Sequence, residues 1–406
     1  MSSTHSQAAG SGQPLVLVIN SGSSSLKFAL VYPETGKTVV SGLAERLNSP
    51  EALIEIKSPD GTKETLSIPD AGHDGALDEM LRHLTSYRVE AVGHRVVNGG
   101  EKFNESILLD DASEASIAAC KDIAPVHAPA NALGIHVARR KFPDLPHVAV
   151  FDTAFHQSIP PHAYRYGVPH EWYEKHRVRK YGFHGTSHRY VSSQAAGLLG
   201  KTIEELQLLT AHLGNGSSVC AVREGKSVDT SMGFTPLEGL VMGTRCGDLD
   251  ANVLLFMQQR TGQSLGEITD TLNKKSGLLG ISGISSDMRT LLAEEAAGNK
   301  DASLAVEIFC YKLATHLMAV TAGLDRVDAL IFTGGIGENS AVIRQRTLAY
   351  LRVLGPVLDT ALNAVHGKGA SGRITTVDSR LLALVVPTNE ELVIAMETAN
   401  LMKAHL

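Results

Sequence analysis

The residues best placed to do chemistry in this chain stand beside glycine-rich breaks. Arg95 lies in GHRVVNGG and Arg245 in MGTRCGD. A guanidinium offers a planar fork of donors that suits a phosphate; an arginine at a strand end can equally be a surface ion pair of little weight. NSGSSS from Asn20, HLGNGSS from His212 and GGIGEN from Gly334 are runs of small residues. In such runs backbone N–H groups can converge on an anion, because no large side chain blocks the approach. Each run alone also reads as a tight turn. None matches G-x-x-x-x-G-K-[ST], which excludes a Walker P-loop, and GGIGEN is not a dinucleotide fingerprint. KYGFHGTSH spaces His184 and His188 four apart. Zinc is a poor reading, since a glycine breaks the helix such a pair needs and no Glu-rich companion follows. A hydrogen-bonding loop histidine is expected instead. Asp152 ends a strand, where α/β sheets place ligand groups; a helix or turn cap is the other reading. Glu390 equally suits the positive end of the last helix.

Strands and helices must alternate to hold these groups. LVLVIN, LKFALVY, TVVSGLAERL, VEAVGHRVV and HVAVFD read as strands, and HDGALDEMLRHLTSY as a helix. The loop between the first two strands looks too long and too polar for a two-residue turn. Two helical stretches follow Asp111, broken near Pro125 and Pro129. LLTAHLGNGSSVCAVREGKSVDT repeats the opening strand-loop-strand, a Gly-Lys turn included, about 190 residues later. That repeat predicts two duplicated α/β domains. With three glycine loops, two of them in matching positions, a nucleotide clamped between the halves is the simplest account. SLAVEIFCYKLATHLMAVTAGL predicts a long amphipathic helix, VDALIFT a buried strand entering a glycine loop, and the last stretch a strand, a turn and a helix. Thr388 and Glu391 have capping-box spacing.

Composition narrows the class. The chain has 406 residues, 43% hydrophobic and 20% charged, as expected of a soluble globular protein. Its net charge is −6, without a basic run, so nucleic acid is not an expected partner. No run of about 18 apolar residues suggests a membrane span. Residues 1–13 read as a loose tail rather than a signal peptide. Cys120, Cys220, Cys246 and Cys310 lie far apart, which suggests a reducing, cytoplasmic setting. The expected boundaries are 14–153 plus 391–406 for one domain and 154–390 for the other.

Taken in order, NSGSSSLKF, GHRVVNGGE, FDTAFH, YGFHGTSH, HLGNGSS, DTSMGFTPLEGLVMGTRCGD, SGLLGISG, FTGGIGENS and TNEE resemble the acetate kinases, the acetokinase family of the actin/Hsp70/sugar-kinase superfamily. The likeness runs from about Val16 to Ala399. It implies an α/β fold of two actin-like (ribonuclease H-like) domains with a nucleotide cleft between them. It implies reversible phosphoryl transfer from ATP to acetate, giving acetyl phosphate and ADP. It further implies Mg²⁺, with Mn²⁺ able to substitute, and a homodimer. By the same likeness Asn20 and Glu390 lie near the metal and Lys27 at a nucleotide phosphate. Arg95 and Arg245 flank the transferring group, His184 serves its transition state, and Asp152 is the acidic active-site residue. The ATP segments would be His212, Leu213, Gly214, Asn215 and Gly216; Asp287, Met288 and Arg289; and Gly335, Ile336, Gly337, Glu338 and Asn339. Val97, Val126, Phe183 and Pro236 would line the methyl pocket. The family usually shows His at Asn98, Leu-His-Asn-Pro where VHAP stands, Ser at Cys246, Pro at Ala251 and often an aromatic at Met288. Val126 would slightly enlarge the methyl pocket. Propionate kinases tend to carry a smaller residue at Val97 and NCGSSS in the first loop, so both signs favour acetate.

Acetate is already ionised at neutral pH, having a pKa like that of Asp or Glu. No general base is then needed, and the barrier is two anions meeting. Asp152 is therefore expected to hold the metal, its waters or an arginine. Two rivals remain: a propionate or other short-chain fatty acid kinase, and a switch ATPase of the Hsp70 or actin kind.

Overall fold

The computed structural model describes residues 14–122, 128–367 and 369–405. The chain divides into two units. The first holds residues up to 99, 105–151 and from 390 onward; the second holds 100–104 and 152–389. Residues 100–104 join the second unit through local bonds. Gln157 Nε2 donates to the Gly100 carbonyl at 3.0 Å, and Arg179 Nη1 to Glu101 at 2.8 Å.

In the first unit the strands are β1 (Leu15–Ser21), β2 (Ser25–Val31), β3 (Thr38–Glu45), β4 (Leu53–Lys57), β5 (Lys63–Ser67), β6 (Val89–Val96), β7 (Ile107–Leu108) and β8 (His147–Phe151). They form one sheet in the order β5-β4-β3-β2-β1-β6-β8-β7. The period of two in β1 shows why this strand is central. Leu15, Leu17 and Ile19 pack with Leu77, Met80 and Val137 on one face, while Val16 and Val18 pack with Ile394 and Ala395 on the other. Both faces are covered by helices, so β1 reads as a continuous apolar run.

The second unit has β9 (Gln207–Leu213), β10 (Ser217–Arg223), β11 (Lys226–Thr230), β12 (Ala329–Thr333), β13 (Gly372–Arg373) and β14 (Leu382–Val385), ordered β11-β10-β9-β12-β14-β13. Leu209, Ala211 and Leu213 face the helix Lys300–Val320; Leu208 faces Val191 and Ala195 of the helix Gly185–Leu199. Lys300–Val320 has the length and hydropathy of a membrane span, yet Phe309, Leu313 and Leu317 are buried in this core.

The duplication is visible strand for strand. β1 pairs antiparallel with β2 and parallel with β6, β6 parallel with β8, and β8 antiparallel with β7. β9, β10, β12, β14 and β13 repeat that pattern of directions. The hairpin β4-β5 is an addition to the first sheet's edge. The first long helix after β8, Gly185–Leu199, belongs to the second unit, and the helix after β14, Glu390–His405, to the first.

The first loop is longer than a two-residue turn, as expected: Ser21 pairs with Leu26 in the β1-β2 register, and Gly22 N–H donates to the Ser25 carbonyl at 2.9 Å. One local expectation changes. Pro129 lies inside the helix Ala128–Lys141, in its first turn, where a missing N–H costs nothing.

Candidate active site

In the second unit the hairpin β9-β10 turns through Gly214, Asn215 and Gly216, closed by Gly214 N–H on the Gly216 carbonyl at 3.0 Å. Beside it lies a cavity of about 500 Å³. Gly214 and Asn215, Asp287 to Arg289, and Gly335, Ile336 and Asn339 all line it. The three stretches expected to serve ATP thus meet at one place within one unit. Each is held by its own device. Asp287 caps the helix Met288–Ala296 by accepting from Arg289 N–H at 2.8 Å, and Arg289's hydrogen bonds pull its carboxyl down to about 2. GGIGEN is a short helix, Gly334–Asn339, rather than a loop. Glu338 points back beneath it: its Oε1 accepts from Gly334 N–H and Thr388 N–H, each at 3.0 Å. Arg344, 1% exposed, donates to the carbonyls of Gly337 and Glu338 at 2.9 and 2.8 Å.

His184 precedes the helix Gly185–Leu199 in the left-handed region, φ 58°. Non-glycine residues there are strained and concentrate at functional sites. Its ring stacks on His212 with centroids 4.3 Å apart. Asp152, 1% exposed, accepts from the Thr186 hydroxyl at 3.0 Å, and its carbonyl from Gly185 N–H at 2.9 Å. It therefore anchors the turn that carries His184. Phe183 is buried, and its carbonyl is 2.9 Å from His156 Nε2. Arg245 Nη1 donates to the Pro236 carbonyl at 3.3 Å, and burial lowers the pKa of the guanidinium. The Arg245 loop is pinned from both sides. Gly243 N–H donates to the Asn215 carbonyl at 3.0 Å, and Leu278 N–H and Leu279 N–H donate to Met242 and Gly243 at 2.8 and 3.0 Å. That gives SGLLGISG a physical role: its first turn supports the loop of the arginine. Both nitrogens of His156 and of His188 have hydroxyl or carbonyl partners.

In the first unit, Asn20 stands opposite Lys27 in the β1-β2 register, near the end of β1. Lys27, 53% exposed at its side chain, pairs with Glu391. Arg95 Nε lies 3.6 Å from Glu390 Oε2. Burial alone would raise Glu391, but Lys27 and Arg95 outweigh it and hold its pKa below the usual value. The half-buried Val97 gives its N–H to Asn131 Oδ1 at 2.9 Å, while Asn131 Nδ2 donates to the Ser21 carbonyl at 2.9 Å. Asn131 ties the ends of β1 and β6 together. Val126 lies outside the described residues.

The sequence profile described as the Acetokinase family matches residues 15–396. The chain belongs to the acetokinase family. An acetate kinase of Deinococcus radiodurans is 51% identical over 387 residues, covering 94% of this chain and 97% of that protein. A propionate kinase structure from Francisella tularensis superposes with a TM-score of 0.91 at 43% identity, covering 96% of this chain and 100% of that one. The acetate kinase of Porphyromonas gingivalis gives 0.91 at 39% identity, with the same coverage. The fold is thus a pair of duplicated actin-like α/β domains.

Within this acetokinase, a magnesium site is tested by its donors. Magnesium is held through one or two carboxylates together with waters and phosphates. Among the described residues no group of three or more His, Cys, Asp or Glu could hold a metal by itself. Asn20 and Glu390 offer oxygen donors within the first unit, a set that suits a hard ion sharing its shell with phosphate. Asn131, Arg344 and Ser218 were not singled out by the sequence of this acetokinase. Asn131 and Arg344 carry no motif, and Ser218 is one small residue in a glycine loop; their contacts are long-range.

Proposed function

We propose that the protein transfers the terminal phosphoryl group of ATP to acetate, reversibly, giving acetyl phosphate and ADP. The observation that carries this reading is the convergence of three expected nucleotide segments on one cavity of about 500 Å³ in the second unit. An acetate oxygen forms a bond to the terminal phosphorus as the bond to the ADP oxygen breaks. Among the fully ionised species the charge of the products equals that of the substrates, so no proton has to move. What the protein must supply is position and positive charge. Arg95 and Arg245 supply the charge and His184 a positioned donor, and a well-placed arginine contributes about 10³ to 10⁵ in rate. Asp152 positions rather than deprotonates, which its bond to Thr186 supports. Val97, Phe183 and Pro236 are the proposed neighbours of the methyl group. Asn20 and Glu390 would hold Mg²⁺, which when bound would neutralise charge on the triphosphate.

Hydroxylamine trapping tests the reading: acetyl phosphate yields a hydroxamate, and a nucleotide-driven switch yields none. A second reading, propionate as the acceptor, draws support from the Francisella tularensis relative. It predicts kcat/KM for propionate at or above that for acetate. One methylene in an apolar pocket is worth about 1–3 kcal/mol, so the ratio will be decisive.

A homodimer belongs to the proposal. The helix Asn252–Thr261 has no buried residue and leaves Leu255 and Phe256 each 54% exposed, which supports a covering partner. Mass measurement in solution tests it. The free cysteines Cys120, Cys220, Cys246 and Cys310 support a cytoplasmic setting.

A further inference from the structure

Ser218 sits between two histidines. Its Oγ is 2.8 Å from His184 Nδ1 and 2.8 Å from His188 Nε2. The remaining nitrogen of His188, Nδ1, is 2.7 Å from Thr210 Oγ1. Ser218, His188 and Thr210 are all 0% exposed, so bulk solvent does not reach these bonds. Burial first, then the neighbouring His156 and His212, keep the His188 pKa well below the ordinary histidine value. His188 therefore stays neutral at working pH and carries one ring proton.

A hydroxyl has one proton to give, so the two orders of donors along the line can be compared. In one order Thr210 donates to His188 Nδ1, His188 Nε2–H to Ser218, and Ser218 to His184 Nδ1. His184 then carries its own proton on Nε2. In the reverse order the Thr210 hydroxyl must turn to the Cys220 carbonyl, 3.4 Å away. That is well beyond the usual reach of about 2.5–3.0 Å for O–H···O. The first order makes every bond at 2.7 or 2.8 Å.

We infer that Thr210, His188 and Ser218 form a relay that holds His184 as the neutral Nε2–H tautomer and so aims a donor, without prior protonation, at the phosphoryl oxygens. The inference rests on the phosphoryl-transfer reading above for the target of that donor. His212 stacks on His184, and a Cβ built on Gly216 would lie 3.4 Å from His184 Nε2 and 3.3 Å from Arg245 Nη1, so the Nε2 edge of the ring and the guanidinium face the same loop. Ser218, His188 and Thr210 are positioning residues; they act through His184, as the buried partner of a triad histidine sets its tautomer.

The test uses the full chain labelled with ¹⁵N-histidine. The His184 signals are assigned by their loss in His184→Gln, and the tautomer is read from the two ring nitrogens. The expected result is a protonated Nε2 and a bare Nδ1 at neutral pH. Ser218→Ala should lower kcat about 10- to 100-fold, with KM for ATP and acetate within about twofold. Ser218→Thr, which restores a hydroxyl, should recover most of the loss. A wild-type His184 protonated on Nδ1, or an unchanged kcat in a folded Ser218→Ala, overturns the relay. If Ser218→Ala does not fold, the wild-type spectrum still decides. If His184 proves Nε2-protonated but the protein makes no hydroxamate, the relay stands and the proposed reaction falls.

Discussion

His184 and Arg245 reach for the same glycine. A Cβ placed on Gly216 would lie 3.4 Å from His184 Nε2 and 3.3 Å from Arg245 Nη1. The two cationic or donor groups of the second unit are therefore aimed at one point of the β9-β10 loop. That loop also borders the cavity of about 500 Å³ through Gly214 and Asn215. The missing Cβ lets both side chains approach the backbone closely.

Gly216→Ala should consequently fold but work badly. The Arg245 contact is tight enough that its guanidinium must give by a few tenths of an ångström, and the added methyl comes into van der Waals contact with the His184 ring. Misplacement on the scale of an ångström can cost about 100-fold in rate, so a fall in kcat of about tenfold is expected. The melting temperature should stay within a few degrees of wild type. A kcat equal to wild type would show that these two side chains are not jointly positioned there.

Replacing Arg245 separates charge from shape. The guanidinium reaches the Pro236 carbonyl at 3.3 Å from a half-buried position. Arg245→Ala should lower the hydroxamate rate by about 10³ to 10⁵. Arg245→Lys keeps a point charge but loses the planar fork, and should fall between wild type and alanine. If lysine restored the full rate, orientation of the donors would be irrelevant and only charge would count.

How far the sequence carried these conclusions depends on range. The strands of the two opening hairpins announce themselves through runs such as LVLVIN, because both faces of β1 are covered. The pair β4-β5 does not: KETLS is exposed along nearly its whole length, so it has no apolar face to read. The glycine segments were legible as a set, yet their supports were not. Arg344, which holds Gly337, is itself fixed by Asn363 nineteen residues away, and Ser218 meets His184 from thirty-four. Contacts of that kind arise from packing, and no local period encodes them. Nor does any local signal say that the helix after β14 completes the first unit's core rather than the second's.

Glu338 gives a third prediction. Among the expected ATP residues it is the one whose carboxylate accepts from Gly334 N–H and Thr388 N–H, at 3.0 Å each. Glu338→Ala leaves two backbone donors without this acceptor, at about 1–3 kcal/mol apiece. The expected outcome is a clear drop in the urea midpoint and a raised KM for ATP. Glu338→Gln keeps the accepting oxygen and should restore most of both. Equal damage from Gln and Ala would mean that the negative charge, rather than the acceptor, is what the loop needs.

Acid should weaken the fold through histidines that are buried without charge. Burial is the first cause in each case: it lowers His156 to about 4, lowers His147, and puts His94 and His188 well below the ordinary value. In the unfolded chain each titrates near 6.5. Between that value and the depressed one the unfolded state binds more protons, so stability rises with pH. The contribution is complete above about pH 6.5 and is lost as the pH falls toward the folded values. His316 runs the other way. Burial would lower it, but Asp248, 2.9 Å from its Nε2, raises it above the ordinary value, so its contribution is present in acid and lost as pH rises. With four groups against one, the net expectation is a urea midpoint level near neutrality and falling below about pH 6.5. His156→Gln removes one of the four. Glutamine still offers polar atoms to the Ser227 hydroxyl and the Phe183 carbonyl, the two partners of His156 at 2.8 and 2.9 Å. The variant should be less stable at pH 7 but shed less stability on acidification, its slope reduced by up to about 1.4 kcal/mol per pH unit. Parallel acid curves for wild type and His156→Gln would show that this ring is not held neutral by its burial.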